Sequence, residues 1–113
     1  MLALGPGVYR DGLPIHDLHG APEAPITISG PAEGSRAVFR AQDGVHTVSL
    51  MDSSHIVLRR LELDGDHRAA DGVKAEGQGR RRCVAVHDVV LDDLYIHDHD
   101  RDRQTVGINT KCT

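Results

Sequence analysis

The chain has 113 residues, and its 13 basic and 17 acidic side chains give a formal charge of −4. The signs are interspersed, so no global field draws in nucleic acid or an anionic membrane, and no run of about 18 apolar residues is present to cross a bilayer. One Phe, two Tyr and no Trp leave a core that has to be built from aliphatic residues.

Met1 to Pro6 carries neither a basic region nor an apolar segment of secretory-signal length. The run from Pro6 to Gly12, enclosed by glycines, reads as a short β-type strand. The polar stretch Leu13 to Pro25 reads as a long loop. Pro25-Ile26-Thr27-Ile28-Ser29-Gly30 alternates, with Ile26 and Ile28 on one face, and after a turn at Pro31 to Ser35 comes Ala37-Val38-Phe39-Arg40. The same triplet then returns. Thr47 to Leu50, Ile56 to Leu58 and Leu61 to Gly65 form a second round, with a turn at Asp52-Ser53-Ser54 and a bend at Arg59-Arg60. A third round opens at Gly72-Val73-Lys74-Ala75-Glu76-Gly77, carries an insertion from Gln78 to Val86, and closes with Val89 to Leu91 and Leu94 to Ile96. A fourth begins at Gly107-Ile108-Asn109-Thr110-Lys111 and stops at Thr113, one strand in, so a piece of something longer is expected. No segment keeps a helical period beyond about two turns.

The rounds match each other directly. His55 to Asp66 lies over Asp88 to His99 without a gap, 33 residues apart, and the apolar positions coincide: Ile56 on Val89, Leu58 on Leu91, Leu61 on Leu94, Leu63 on Ile96. Arg59-Arg60 falls on the oppositely charged Asp92-Asp93, a pairing suited to locking register at a bend. Such self-similarity is the mark of a stacked repeat. Three inward ladders are expected: Val48, Val73 and Ile108; Ile28, Leu58 and Leu91; Phe39, Leu63 and Ile96. An antiparallel sandwich would favour two-residue hairpins and a leucine-rich repeat would show a shorter period with a fixed Asn or Cys; neither predicts the match. The expected fold is all-β, a right-handed parallel β-helix of three strands per rung, about three rungs and the start of a fourth, with residues 1–113 the N-terminal part of one domain.

The opening Pro6-Gly7-Val8-Tyr9, then Pro25-Ile26-Thr27-Ile28-Ser29-Gly30, then the rung His55 to Gly65 resembles the start of pectate-lyase-like right-handed β-helix proteins. The likeness is greatest to the chondroitinase B and alginate lyase-like polysaccharide lyases. That resemblance implies an extracellular or periplasmic, carbohydrate-active protein, monomeric at full length. It would bind an acidic polysaccharide and cleave it by β-elimination, a basic residue removing the proton beside the uronate carboxylate and either Ca²⁺ or an Arg neutralising that carboxylate in the full-length protein. The family's catalytic groups lie on later rungs, so no catalytic residue maps onto this chain. The same fold also presents non-catalytic surfaces, as in adhesins and spikes, and that is the alternative function.

Two features of the chain bear on binding. If Val73 and Ala75 face inward, Lys74 and Glu76 face outward, with Asn109 and Lys111 beside them one round on. This strip is the candidate sugar-binding surface, and a solvated face with one cross-round ion pair is the competing account. His97-Asp98-His99-Asp100-Arg101-Asp102-Arg103 has the donor types of a divalent-cation site, but only Asp64 and Asp66 on the previous round could join it, so the run reads as a mixed-charge turn and no metal is assigned. Arg80-Arg81-Arg82 reads as a solvated loop. Cys83 and Cys112 are too few for a disulfide scaffold and fit no zinc spacing; two buried thiols, one bridge in an oxidising compartment and a reactive thiol remain open.

Overall fold

A computed structural model of the chain describes residues 2–42, 46–69, 71–76 and 86–99, and the backbone of 108–111. Among them there is no helix. The described residues form ten strands, in chain order β1 (Leu2–Ala3), β2 (Gly7–Tyr9), β3 (Leu13–His16), β4 (Ile26–Ser29), β5 (Ala37–Arg40), β6 (Val48–Met51), β7 (Ser54–Arg68), β8 (Val73–Glu76), β9 (His87–His99) and β10 (Ile108–Lys111). They form two curled sheets in which every strand pairing is parallel. One has the order β1-β4-β7-β5-β2, with β9 also on β7, and the other β10-β8-β6-β3. An antiparallel sandwich is thereby ruled out.

The expected ladders are the observed pairings, each extended by one residue. Leu13, Val48, Val73 and Ile108 align in the smaller sheet. In the larger sheet Leu2, Ile28, Leu58 and Leu91 align, as do Tyr9, Phe39, Leu63 and Ile96. Tyr9 and Phe39 stack with ring centroids 5.0 Å apart. The 33-residue offset is physical pairing, because Ile56, Leu58, Leu61 and Leu63 meet Val89, Leu91, Leu94 and Ile96. Ile56, Leu58, Leu61 and Leu63 are wholly buried in one aliphatic core with Ile15, Val48, Leu50 and Val73. At about 25 cal/mol per Å² of apolar surface removed from water, such ladders supply the main stabilising term.

The first round differs from its expected layout. Leu13–His16 is a strand, not part of a loop, with Leu13 and Ile15 over Val48 and Leu50. Gly7–Tyr9 lies under Ala37–Phe39 and so belongs to the preceding turn of the chain. Pro14 and His16 interrupt the apolar pattern there. Proline is tolerated because β3 is the edge strand of its sheet.

The bends have a common backbone solution. Among the described residues nine other than glycine take positive φ, and six of these are Asp, which tolerates the left-handed region better than most L-residues. They stack in register: Asp17 with Asp52, His55 with Asp88, Arg60 with Asp93. Adjacent rounds then approach so closely that a side chain is excluded beneath some bends; a Cβ at Gly30 would run into the Arg60 carbonyl and one at Gly65 into that of Asp98. At the Asp52 bend the buried Ser53 hydroxyl accepts the Leu18 amide at 3.1 Å and lies 2.9 Å from the Met51 carbonyl, so the corner's polar groups are satisfied.

Candidate functional site

Where Leu61, Leu63, Leu94 and Ile96 point inward, the residues between them point outward by the two-residue strand period. The register thus sets Arg40, Asp64 and His97 in one outward row and Val38, Glu62 and Tyr95 in the next. The first row alternates in sign. Arg40 Nε donates to Asp64 Oδ2 at 3.0 Å, and the second Asp64 oxygen accepts the Asp66 amide at 2.8 Å. His97 Nε2 is 3.0 Å from Glu62 Oε2 and its Nδ1 is 2.9 Å from Asp98 Oδ2. Both ring nitrogens face carboxylate oxygens, which suits the protonated imidazole with its two N–H donors. Tyr95, 53% exposed, stacks on the His97 ring at 4.5 Å.

The proton affinities follow from these contacts. Partial burial opposes charge on His97, but the hydrogen bonds to Asp98 and Glu62 and the Asp64 charge outweigh it and raise the pKa. Burial likewise opposes ionisation of Asp64, and the Asp66 amide and Arg40 overcome it, lowering the pKa. His99, two residues on and 1% exposed, is held down by burial and by the charge of His97. Its Nε2 is 2.9 Å from the Thr47 hydroxyl, so the neutral ring suits its position.

Next to this row lies an open cleft of about 410 Å³, lined by Arg10, Arg40, Ala41, Gln42, Asp66 and Arg68. Three guanidinium groups border it. Arg40 is paired with Asp64 and Arg68 Nε lies 3.3 Å from Asp66, while Arg10 has no ion-pair partner among the described residues. The Gln42 side chain donates to the Arg10 carbonyl, tying the segment after β2 to the segment after β5. Guanidinium is the side chain best matched to a carboxylate or sulfate, since it offers two parallel N–H donors. An anionic group entering the cleft would meet Arg10 first. Sequence reading passed over Arg10 and Arg40. The signal was there in Tyr9-Arg10 and Phe39-Arg40, two aromatic-Arg pairs whose aromatic members stack in register.

The strip assigned to sugar binding lies on the other sheet. Lys74 pairs in register with Ser49 and Asn109, and Glu76 with Met51 and Lys111, so the expected neighbours are adjacent. Lys74 is only 9% exposed, with its ammonium 3.9 Å from the wholly buried Asp71, and Glu76 is half-buried. Of the charged bend, Arg59 and Asp92 do meet, at 2.8 Å, whereas the Asp93 carboxylate lies 3.4 Å from Arg36. Cys83, Cys112, Arg80 to Arg82 and Asp100 to Arg103 lie outside the described residues.

Asp64, His97 and Asp98 come within ligating distance of one another, so one of the two carboxylates expected from the previous round does join the His-Asp run. The donor set does not suit Ca²⁺, which takes about six to eight oxygens. Arg40 and the Asp66 amide already occupy the Asp64 carboxylate, and a cation would have to displace the guanidinium. No protein family, curated protein or solved structure matches the chain.

Proposed function

We propose that this chain is part of a right-handed parallel β-helix, about three rungs and the start of a fourth, and that it binds an acidic polysaccharide. The parallel pairing of equivalent strands at single-lap spacings supports the fold reading. The observation that carries the functional one is the cleft bordered by Arg10, Arg40 and Arg68, with the exposed Tyr95 ring on the adjoining row. Guanidinium groups recognise the uronate carboxylate or sulfate. An exposed aromatic ring gives a pyranose face an apolar surface to lie on. The strip expected on the second sheet, Lys74, Glu76, Asn109 and Lys111, is given a lesser role in sugar binding, because Lys74 is nearly buried against Asp71 and leaves Glu76 as the more accessible of the two. Cleavage by β-elimination is the activity proposed for the whole protein, secreted to meet its polymer, with its base on rungs outside this chain.

A second reading, a non-catalytic β-helix surface, has its own support. The ionisable groups of the outward row are satisfied by one another, as in Arg40 with Asp64 and His97 with Glu62, and none is left as a base poised over a cleft. Affinity electrophoresis of the chain against alginate, pectate, chondroitin sulfate and neutral glucans tests the binding. Retardation by one or more acidic polymers, weakened at least fivefold in Arg10→Ala and by added salt, is the expected result. Equal mobility in all of them would overturn the proposal. Formation of unsaturated uronate products by the full-length protein separates the lyase from the non-catalytic module.

A further inference from the structure

The bend at the start of β7 and β9 holds a second group of ligating side chains, remote from the arginine cleft in register. His55 and Asp88 occupy equivalent places on adjacent rounds, between the pairs Ser54/His87 and Ile56/Val89, and both take the left-handed backbone, with φ of 54° and 55°. Two superposed bends of the same form aim the two side chains the same way. His87, one residue earlier, joins them. Its Nδ1 lies 2.6 Å from Asp88 Oδ2, His55 Nε2 lies 3.7 Å from the same oxygen, and the two imidazoles meet edge to face at 5.5 Å. One ligand atom from each of the three residues falls within 4.8 Å of the other two.

We propose that His55, His87 and Asp88 bind a divalent transition-metal ion, with Zn²⁺ the reference case. Ligand bonds of about 2.0–2.2 Å in a tetrahedral site set neighbouring donors roughly 3.3–3.6 Å apart, close to the 3.7 Å between His55 Nε2 and Asp88 Oδ2. Two imidazole nitrogens and one carboxylate oxygen select Zn²⁺, Co²⁺, Ni²⁺ or Cu²⁺ over Ca²⁺ or Mg²⁺. The ligands come from two successive rounds whose backbones are paired in register, so the site is built by the stack rather than by one mobile loop. On metal binding the His87 proton resides on Nε2, which frees Nδ1 as the ligand. No guanidinium or ammonium among the described residues pairs with Asp88, in contrast to Asp64, whose carboxylate Arg40 holds. A cavity of about 430 Å³ opens beside the group, bordered by Pro22, Pro25, Val57 and Val90, and leaves room for water or a small ligand on the open coordination positions.

The test is titration of the metal-free chain with Zn²⁺ by calorimetry and with Co²⁺ by visible absorption. One ion per chain with micromolar or tighter affinity and a Co²⁺ ligand-field band is expected. His87→Ala and Asp88→Asn should each weaken binding at least tenfold with the circular dichroism unchanged; Asn keeps the left-handed bend at 88. His16→Ala and His97→Asn should leave the affinity within twofold. Absence of saturable binding, or binding that survives both His87→Ala and Asp88→Asn in folded protein, would overturn the proposal.

Discussion

The inward and outward rows of β7 and β9 share one register and differ in everything else. Inward, like meets like: Leu58 on Leu91, Leu61 on Leu94, Leu63 on Ile96. Outward, the neighbours are complementary, as Arg59 meets Asp92 and Asp64 stands between Arg40 and His97. Stacking equivalent residues about 4.8 Å apart rewards identity in an apolar row, because each side chain buries the next, and penalises it in a charged row, where like charges would face each other. The apolar row therefore carries the stability, and the charged row fixes register and exposes the groups that a ligand can meet.

That contrast can be broken from the inside first. Leu58 is fully buried between Ile28 and Leu91, and Leu58→Ala should cost about 2–5 kcal/mol in urea denaturation, enough to unfold much of a marginal chain. Gly65→Ala places a methyl against the Asp98 carbonyl of the next round. Forcing the rounds apart there should cost about 1–3 kcal/mol and lower the melting temperature, while the adjacent exposed change Asp66→Asn does far less.

The outward row is sharpened by pH. His97 has a raised folded-state pKa, so the folded chain holds its proton more tightly than the unfolded chain does. Its contribution is complete below the ordinary value of 6.5 and fades as pH rises through the raised value. His99 has a lowered pKa, so it favours folding above 6.5 and opposes it as pH falls below. Chemical denaturation of His97→Asn across this range should lose the alkaline decline, and His99→Asn the acidic one. The smallest effect belongs to the half-exposed pair Arg59 and Asp92. Arg59→Asp sets two carboxylates face to face and should cost about 1 kcal/mol or less, shrinking in high salt.

The apolar half of this architecture was legible in the sequence because aliphatic identity repeats with the lap. The offset between His55 and Asp88 needed no gap and set Leu58 on Leu91 and Leu63 on Ile96, while the ladder through Val48, Val73 and Ile108 was read from its own alternating strands at unequal spacings. Leu13–His16 escaped because Pro14 and His16 mask two core positions, and the left-handed bends escaped because no spacing announces that Asp17, Asp52, Asp93 and Asp98 sit at positive φ. Side-chain pairing was less legible still. Arg40 reaches Asp64 across 24 residues and His97 reaches Glu62 across 35, lap lengths set by the bends and loops between strands. The His55, His87 and Asp88 group and the Asp64, His97 and Asp98 cluster likewise join residues one lap apart, and only the register brings them together.

Methyl-resolved NMR of selectively labelled protein tests the stacking most directly. The account predicts through-space contacts from Leu58 to both Ile28 and Leu91, with Leu61 to Leu94 and Leu63 to Ile96 in the same order along the two strands. Contacts in the reverse order, Leu58 with Ile96 and Leu63 with Leu91, or no contact between Leu58 and Leu91 in folded protein, would contradict it.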